Sequence, residues 1–524
     1  MTRLLCLCLL LVLPVPVFSE DVWQKAQDNA RDSRMVVAFT HRFVQGWLFH
    51  ADPKAGLIPR NLKNDFFWNA RDSAADNYPF MVLTCAMTGH PVLFPIMEAM
   101  LQTERRLTCR LGSLPDDFLF ETQSFRTREY DLDSLIFGAA EYAKDGLVPI
   151  TEWMGSSPWM DRMEEMIHDI WKHAAIDSPV GKLPTRNVEV VGDLLQAMSR
   201  LAWITGKQEY QEWTFRLADQ CLLHDNIARW PRLQLDDHGC EIIGGLSEAC
   251  FLASQRDKDR WQRYRKPMYD ILDCVLEYGR NPDGLLYSVI NPASGAVINQ
   301  ELTDNWGYNY IAFLTVAEIG NEDKYREPVR FALSHIDKYL DYPWEGGSAD
   351  GYADSIEGAI SLLNRIPDPK AVDWVDASMK VLLSKQKDDG IIEGWHGDGN
   401  SARTAWMWAL WKTAGATFSP WREDLSAGAV LDETGTLHLS LACDWPWKGT
   451  LHVDRPRHQV NFHLPFDYPR LNQFPEWFVA GPDAFYQVAV NNEPPRRVAG
   501  KDLWAFPFSL KAKETALITI SKEK

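Results

Sequence analysis

The chain is poor in positive charge for its length. Its 524 residues carry 54 Lys plus Arg against 72 Asp plus Glu, a formal net charge of −18. No basic stripe is present to follow a phosphate backbone, which excludes nucleic acid as a partner. Cysteine is sparse too: nine residues, with Cys6 and Cys8 in the first apolar stretch and the other seven scattered without CxxC spacing. That pattern excludes a cysteine metal cluster and a disulfide scaffold, and the scattered thiols read as small buried hydrophobes. The pair Gly244-Gly245 lacks a GxGxxG context, and neither HExxH nor GxxxxGK occurs, so no dinucleotide, zincin or P-loop site is expected. No organic cofactor and no catalytic metal are expected. The Asp-rich loops leave room for a structural Ca²⁺, although EF-hand spacing is missing.

Long apolar runs are confined to the start. Met1-Thr2-Arg3, then Leu4 to Phe18, then Ser19-Glu20 has the form of a secretory signal over residues 1–19, too short for a comfortable span. The mature protein is therefore expected to be secreted or periplasmic, with no membrane association after cleavage.

Aromatic residues are what the chain has in excess: 22 Trp, 16 Tyr and 24 Phe. Flat amphipathic faces stack on sugars, and carboxylates cleave the bonds between them. An acidic, Trp-rich chain thus points towards a polysaccharide or oligosaccharide substrate.

Internal repetition decides the architecture. An apolar helix, a short turn and an amphipathic helix recur, with turns read at Thr88-Gly89-His90, Lys144-Asp145-Gly146, Thr205-Gly206-Lys207, Arg256-Asp257-Lys258, Gly320-Asn321-Glu322, Ile366-Pro367-Asp368 and Thr413-Ala414-Gly415. Val188 to Ile204 is apolar on nearly every face, as a helix enclosed by others must be, whereas Glu209 to Leu223 is apolar on one side only. Hairpins of this kind close into a mainly α toroid, (α/α)6 or (α/α)7, over residues 20–423. The segment Val22 to Phe49 supplies the outer helix that completes the ring. From about residue 424 the period changes to two, as in Thr436 to Leu441 and Thr515 to Ile520, predicting a small antiparallel β-sandwich over 424–524. Residues 425–524 hold equal numbers of acidic and basic side chains, so the acidity belongs to the helical part.

A ring of helical hairpins followed by a β-sandwich resembles the six-hairpin glycosidase superfamily and the toroid polysaccharide lyases. The segment Asp72-Ser73-Ala74-Ala75-Asp76-Asn77-Tyr78-Pro79-Phe80 is similar to the Asp-bearing segment of unsaturated-uronide hydrolases. Asp304-Asn305-Trp306-Gly307-Tyr308-Asn309-Tyr310 is similar to the Asn/Tyr-bearing stretch of uronate lyases with (α/α)7 toroids. The resemblance implies a glycan cleft on the face where the inner helices begin.

Residues at the starts of the inner helices become neighbours in such a ring, and that rule selects the candidates. For β-elimination from a uronic-acid glycan the base is Tyr308 or His238. Arg186, Asn187, Asn305 and Asn309 are then the donors that quiet the sugar carboxylate. For hydrolysis, Asp76 pairs with Glu241, Asp304 or Asp354 as acid and base. Arg71, Tyr310 and His396 complete the binding set, and Trp306, Trp395 and Trp68 are the stacking candidates. The two Asn and one Gly in Asn305 to Asn309 lower helix propensity where apolar residues would pack, which favours elimination by a polysaccharide lyase. A glycoside hydrolase is the alternative, and a glycan-binding protein without catalysis the third reading.

Overall fold

In the computed structural model, which describes residues 19–64, 66–491 and 493–523, the inner helices are buried on nearly every face and the outer ones mainly on one. The signal-like stretch through Phe18, with Cys6 and Cys8, lies outside the described residues. After α1 (Ser19–Phe49) come the inner segment Ala70–Asn77 with α2 (Tyr78–Thr88) and the outer α3 (Leu93–Leu107). The second inner helix is α4 (Leu132–Glu141), continued by Tyr142–Leu147 and α5 (Val148–Met154), with α6 (Pro158–Lys172) outside it. Four regular hairpins follow, α7 (Val188–Thr205) with α8 (Gln208–Asp219), α9 (Glu241–Arg256) with α10 (Lys258–Tyr278), α11 (Trp306–Gly320) with α12 (Asp323–Leu333), and α13 (Ala349–Leu363) with α14 (Pro369–Ser384). The seventh inner helix, α15 (Gly397–Lys412), packs on α1 and on α2, so the circuit closes. Seven inner helices contact their neighbours in turn around the ring. Of the two ring sizes expected, the described residues form the (α/α)7 toroid.

Close approach of the inner helices depends on glycine. A Cβ on Gly307 would lie 2.5 Å from the backbone of Gly358, and one on Gly192 would lie 2.4 Å from the backbone of Glu241. Gly307 in the Asn305 to Asn309 cluster is therefore a helix-crossing residue. The glycine of that stretch is thus accounted for by packing, which removes one of the three residues on which its reading as a sign of elimination chemistry stood.

Lys144-Asp145-Gly146 is not a turn. It lies in a π-helical stretch, Tyr142–Leu147, inside the second inner helix, and the hairpin turns at Gly155, whose φ is +77°. A Cβ on Gly146 would meet Pro79 at 2.7 Å and the Ala74 carbonyl at 2.9 Å, so it serves the packing of two inner helices. The first inner helix has a matching π-helical stretch, Ala70–Asn77. The seven cysteines of the described residues are all free, and none of the described helices is long and apolar enough to cross a membrane.

The C-terminal part is an antiparallel sandwich. One sheet orders its strands as Ser426–Leu431, Leu437–Ala442, Thr515–Lys522, Phe485–Val490 and Arg496–Ala499, and the other as Phe506–Leu510, Trp447–His452 and Thr417–Ser419. Alternate residues of both sheets, such as Leu439, Ile518 and Leu451, meet in one core. The first strand precedes the expected boundary at 423/424. More importantly, the segment 455–477 leaves the sandwich and enters the end of the ring where the inner helices finish. Arg200 of α7 donates to the Leu471 carbonyl at 2.6 Å, and Thr315 of α11 to the Pro469 carbonyl at 2.7 Å. Arg470 is fully buried, 3.2 Å from Glu152 of α5 and 3.0 Å from Asp467.

Helix α1 joins the two parts, lying between α15 and the strand Ser426–Leu431. Asn29 donates to the Ala429 carbonyl at 2.8 Å. A Cβ on Gly428 would stand 2.1 Å from the Ala30 amide nitrogen. Gly428→Val is thus expected to push the strand off the helix and lower stability by about 1–3 kcal/mol, which thermal or denaturant unfolding measures. An unchanged midpoint contradicts the account of this joint.

Candidate functional site

The ring encloses a cavity of about 130 Å³ on the side where the inner helices begin. That is on the order of ten water positions, roughly the room of one sugar ring. Ten carboxyl groups line it, against five cationic side chains, Arg71, Lys144, His238, His396 and Arg403. Helix N-termini directed at one space favour negative charge, which offsets part of this imbalance. Protonation must offset more.

On one wall His396, just before α15, stands between two carboxylates. Its Nδ1 is 3.1 Å from Asp72 and its Nε2 3.5 Å from Asp350. Burial disfavours the imidazolium, but these two carboxylates outweigh it and hold the His396 pKa well above the usual value. Burial likewise opposes ionisation of Asp72, and hydrogen bonds from His396 and Asn69 overcome it, lowering its pKa to about 2. Asp350 follows the same logic. Burial raises its pKa, while His396 and Asn400, which donates at 2.8 Å, bring it below the ordinary value. Asp72 and Asp350 are therefore carboxylates.

Asp76 differs from both. It sits in the π-helical stretch, lines the same wall, and has no side-chain hydrogen bond or ion pair within the described residues. Burial pushes its pKa well above the carboxylate range, with His396 opposing and Asp145, Asp72 and Asp350 adding to the rise. The first turn of α15 runs between Asp76 and Asp350. A Cβ on Gly399 would lie 2.2 Å from the Asp76 carbonyl oxygen, and one on Gly397 3.0 Å from Asp350 Cβ. A protonated carboxyl and an ionised one thus flank one helix start, without bulk between them and the cavity.

Deeper in the ring Tyr308 is enclosed by charge. Its hydroxyl is 2.9 Å from Asp354 and 2.8 Å from Glu357, and it accepts from Arg403 at 2.9 Å. Burial raises the phenol pKa well above its ordinary value, beyond what Arg403 takes back. Asp354 also accepts from Asn305 at 3.0 Å. Asn472, from the segment that enters the ring, accepts from Arg403 at 3.0 Å and donates to Asp145 at 2.9 Å, so the C-terminal part builds the cavity floor. Its φ is +57°, in the left-handed region that Asn tolerates.

On the opposite wall Lys144 lies 2.8 Å from Asp145, 3.6 Å from Glu241 and 3.8 Å from Asp193. His238 is 2.6 Å from Glu189 and 3.2 Å from Asp237. The hydrogen bond to Glu189 is the main cause that raises the His238 pKa to about 10.

Of the expected residues, the ring brings Asp76, Glu241, Tyr308, His238, Arg71, Asp354 and His396 to the cavity. The surroundings of two of them disfavour the expected role of base: the Tyr308 hydroxyl is held between Asp354, Glu357 and Arg403, and the hydrogen bond to Glu189 favours the charged imidazole of His238. Other candidates fall elsewhere. Arg186 is exposed and donates to the Asp177 carbonyl at 3.1 Å. Asn187 caps α7 by accepting from the Glu189 and Val190 amides. Asn309 spends its amide on the carbonyls of Leu235 and Asn305. Asp304 turns back on its own loop, accepting from the Asn305 amide at 3.0 Å. Tyr310 is buried and donates to the Gly284 carbonyl at 2.5 Å. Trp306 and Trp68 are buried in the wall, Trp306 bonded to Ser355 at 2.8 Å. Trp395 is half-buried, its indole donating to Glu393 at 2.6 Å. Residues missed by the rule are Glu141, Lys144, Asp145, Asp193, Asn400 and Asn472. A charged pair inside an otherwise apolar run was the available signal for Lys144 and Asp145.

The combination Glu141, Glu189 and His238 has the donor chemistry for a cation, but the tight Glu189 to His238 hydrogen bond already satisfies two of its members, and the Ca²⁺ expectation gains no preferred seat from it. Nor does His458 with Asp467 and Glu476, because Arg365 and Arg470 already compensate Asp467.

No protein-family model matches the chain, and no curated protein does. Among solved structures it is similar to the unsaturated glucuronyl hydrolase of Bacillus sp. GL1, at 13% identity over 53% of this chain and 86% of that one, with a TM-score of 0.37. It is similar to an α-1,6-mannanase of Salegentibacter sp., at 11% identity over 71% and 98%, TM-score 0.39. It is also similar to the cellobiose 2-epimerase of Bacillus thermoamylovorans, at 11% over 50% and 85%, TM-score 0.37. The chemistry of the cavity is therefore read from its own residues.

Asn472→Ala leaves Arg403 short of an acceptor and Asp145 short of a donor in a buried setting. The expected outcome is a loss of about 1–3 kcal/mol in unfolding free energy. Asn491→Ala, with its partner Leu517 near the surface of the sandwich, is the control and should cost less.

Proposed function

We propose that the protein is a carbohydrate-active hydrolase that cleaves a glycosidic bond in the central cavity. Asp76 is the general acid and Asp350 the general base. The observation that carries this reading is the split between them: one wall holds a neutral carboxyl with no protein partner and an ionised carboxylate fixed by His396 and Asn400. Two carboxyl groups whose surroundings drive their pKa values apart are what acid/base assignment requires.

The steps follow from that arrangement. Asp76 donates its proton to the glycosidic oxygen as the bond to the anomeric carbon lengthens, so the leaving sugar departs as an alcohol. Asp350 accepts a proton from water as the water adds to the anomeric carbon. His396 does not transfer a proton. It holds Asp350 ionised and fixes its direction through Asp72 on its other side. Positive charge developing on the sugar ring is favoured by the surrounding carboxylates.

The same electrostatics disfavour the expected β-elimination. That reaction needs a free base and donors for a uronate carboxylate, and Tyr308 and His238 are not free bases. Lys144, His238, His396 and Arg403 are each within ion-pair distance of at least one carboxylate, whereas Arg71 lies over the Phe137 ring at 4.3 Å and makes no ion pair within the described residues. The sugar at the cleavage position is accordingly read as neutral.

Asp76→Asn and Asp350→Asn are each expected to lower kcat by about 10²–10⁴ while the melting temperature is kept. Screening neutral oligosaccharides for new reducing ends finds the substrate, and absorbance at 235 nm should not accompany cleavage. The reading fails if cleavage produces that absorbance or survives both substitutions. Activity requires Asp76 protonated and Asp350 ionised. The rate should therefore decline as pH rises through the elevated Asp76 pKa and as pH drops through the depressed Asp350 pKa. Asp76→Asn should abolish the first decline.

A further inference from the structure

We propose that Ser419 and His452 form a second catalytic centre, a serine nucleophile with its base, that hydrolyses short-chain acyl esters. They line a separate cavity of about 290 Å³ between the ring and the sandwich, and this inference does not rest on the reading of the central cavity. Ser419 ends the strand Thr417–Ser419, which pairs antiparallel with Trp447–His452 so that Thr450 lies opposite Ser419. His452, two residues further along, is then its diagonal neighbour on the same face.

The geometry orders the dyad. Ser419 Oγ is 2.7 Å from His452 Nε2, and His452 Nδ1 is 2.8 Å from the Trp504 carbonyl oxygen. A carbonyl only accepts, so Nδ1 carries the hydrogen. The lone pair of Nε2 is left facing the serine hydroxyl, which donates to it. Nucleophile, base and orienting group thus stand within hydrogen-bond reach in sequence. Gly89 lets the ring come this close, since its φ is +58° and a Cβ there would lie 2.5 Å from Ser419 Cβ. Arg455 lines the same cavity; it donates to the Trp153 carbonyl at 3.1 Å and makes no ion pair within the described residues. Its guanidinium is the group that meets an oxyanion. The indoles of Trp153 and Trp504 supply apolar wall for a short acyl chain.

In the reaction Oγ attacks the ester carbonyl carbon while Nε2 takes its proton, and the carbonyl π pair moves onto oxygen beside Arg455. Collapse breaks the bond to the alkoxy oxygen, which leaves as an alcohol with the proton from Nε2. Water then adds to the acyl-serine with the same base. The acid is released and the serine hydroxyl restored.

Treating the intact protein with a fluorophosphonate and mapping peptides by mass spectrometry tests the nucleophile. A covalent adduct on Ser419 is expected, and its absence from Ser419 overturns the proposal. Hydrolysis of p-nitrophenyl acetate is expected to fall at least 100-fold in Ser419→Ala and in His452→Gln, with the melting temperature unchanged. Hydrolysis by Ser419→Ala at the rate of the unaltered protein also overturns it.

Discussion

Ten carboxyl groups and five cationic side chains line one cavity at the centre of this molecule, most of them buried or half-buried, and that is tolerable only because the cavity has a floor. Charges removed from water cost several kcal/mol each unless they are paired and hydrogen-bonded. The segment 455–477 meets that demand from below. Arg470 compensates Glu152 and Asp467, Arg200 reaches the Leu471 carbonyl and Glu248, and Asn472 ties Arg403 to Asp145. Without this segment the ends of the inner helices, and the charges on them, would face either solvent or each other. The β-sandwich is thus more than a neighbour of the ring, since it anchors both ends of the strand of chain that seals it.

A second constraint sets which groups reach the cavity. Inner helices that touch through glycine, as at Gly307 with Gly358, leave no freedom to rotate one helix against the next. Two of them instead change their winding. The π-helical stretches at Ala70–Asn77 and Tyr142–Leu147 add a residue per turn, and they carry Asp76, Lys144 and Asp145, which line the cavity. Single-turn π segments of this kind recur at functional sites because they redirect a side chain without breaking the helix. The separation of Asp76 from Asp72 in protonation follows: Asp72 is hydrogen-bonded to Arg60, Asn69 and His396, whereas Asp76, one turn on, is hydrogen-bonded to none of them.

Much of the site was legible because of one geometric fact, that residues at the starts of inner helices converge. Asp76, His396, Asp354, Glu241 and Arg71 were found in that way. Residues a turn or more inside a helix were not, because an apolar run does not reveal which of its few charges points inward. Asn472 was out of reach for a different reason. It lies some seventy residues from the nearest partner in sequence, and only the return of a loop from the sandwich brings it beneath the ring. The Trp count misled as a marker of sugar contact, since Trp306 and Trp68 are buried in the walls and Trp306 spends its indole N–H on Ser355.

Read alone, the sequence determined the helical repeats, the change of period near residue 424 and the confinement of acidity to the ring, because each is a local pattern of apolar and charged residues. It also determined that carboxyl groups would crowd one face. Tertiary structure decided the closure at seven hairpins, through the packing of α15 on α2 and α1, and it decided the protonation of each carboxyl. Protonation depends on burial and on which cation stands within about 4 Å, and those neighbours come from helices far apart in the chain. His396 between Asp72 and Asp350, and Asp76 with no partner, are facts of that closure.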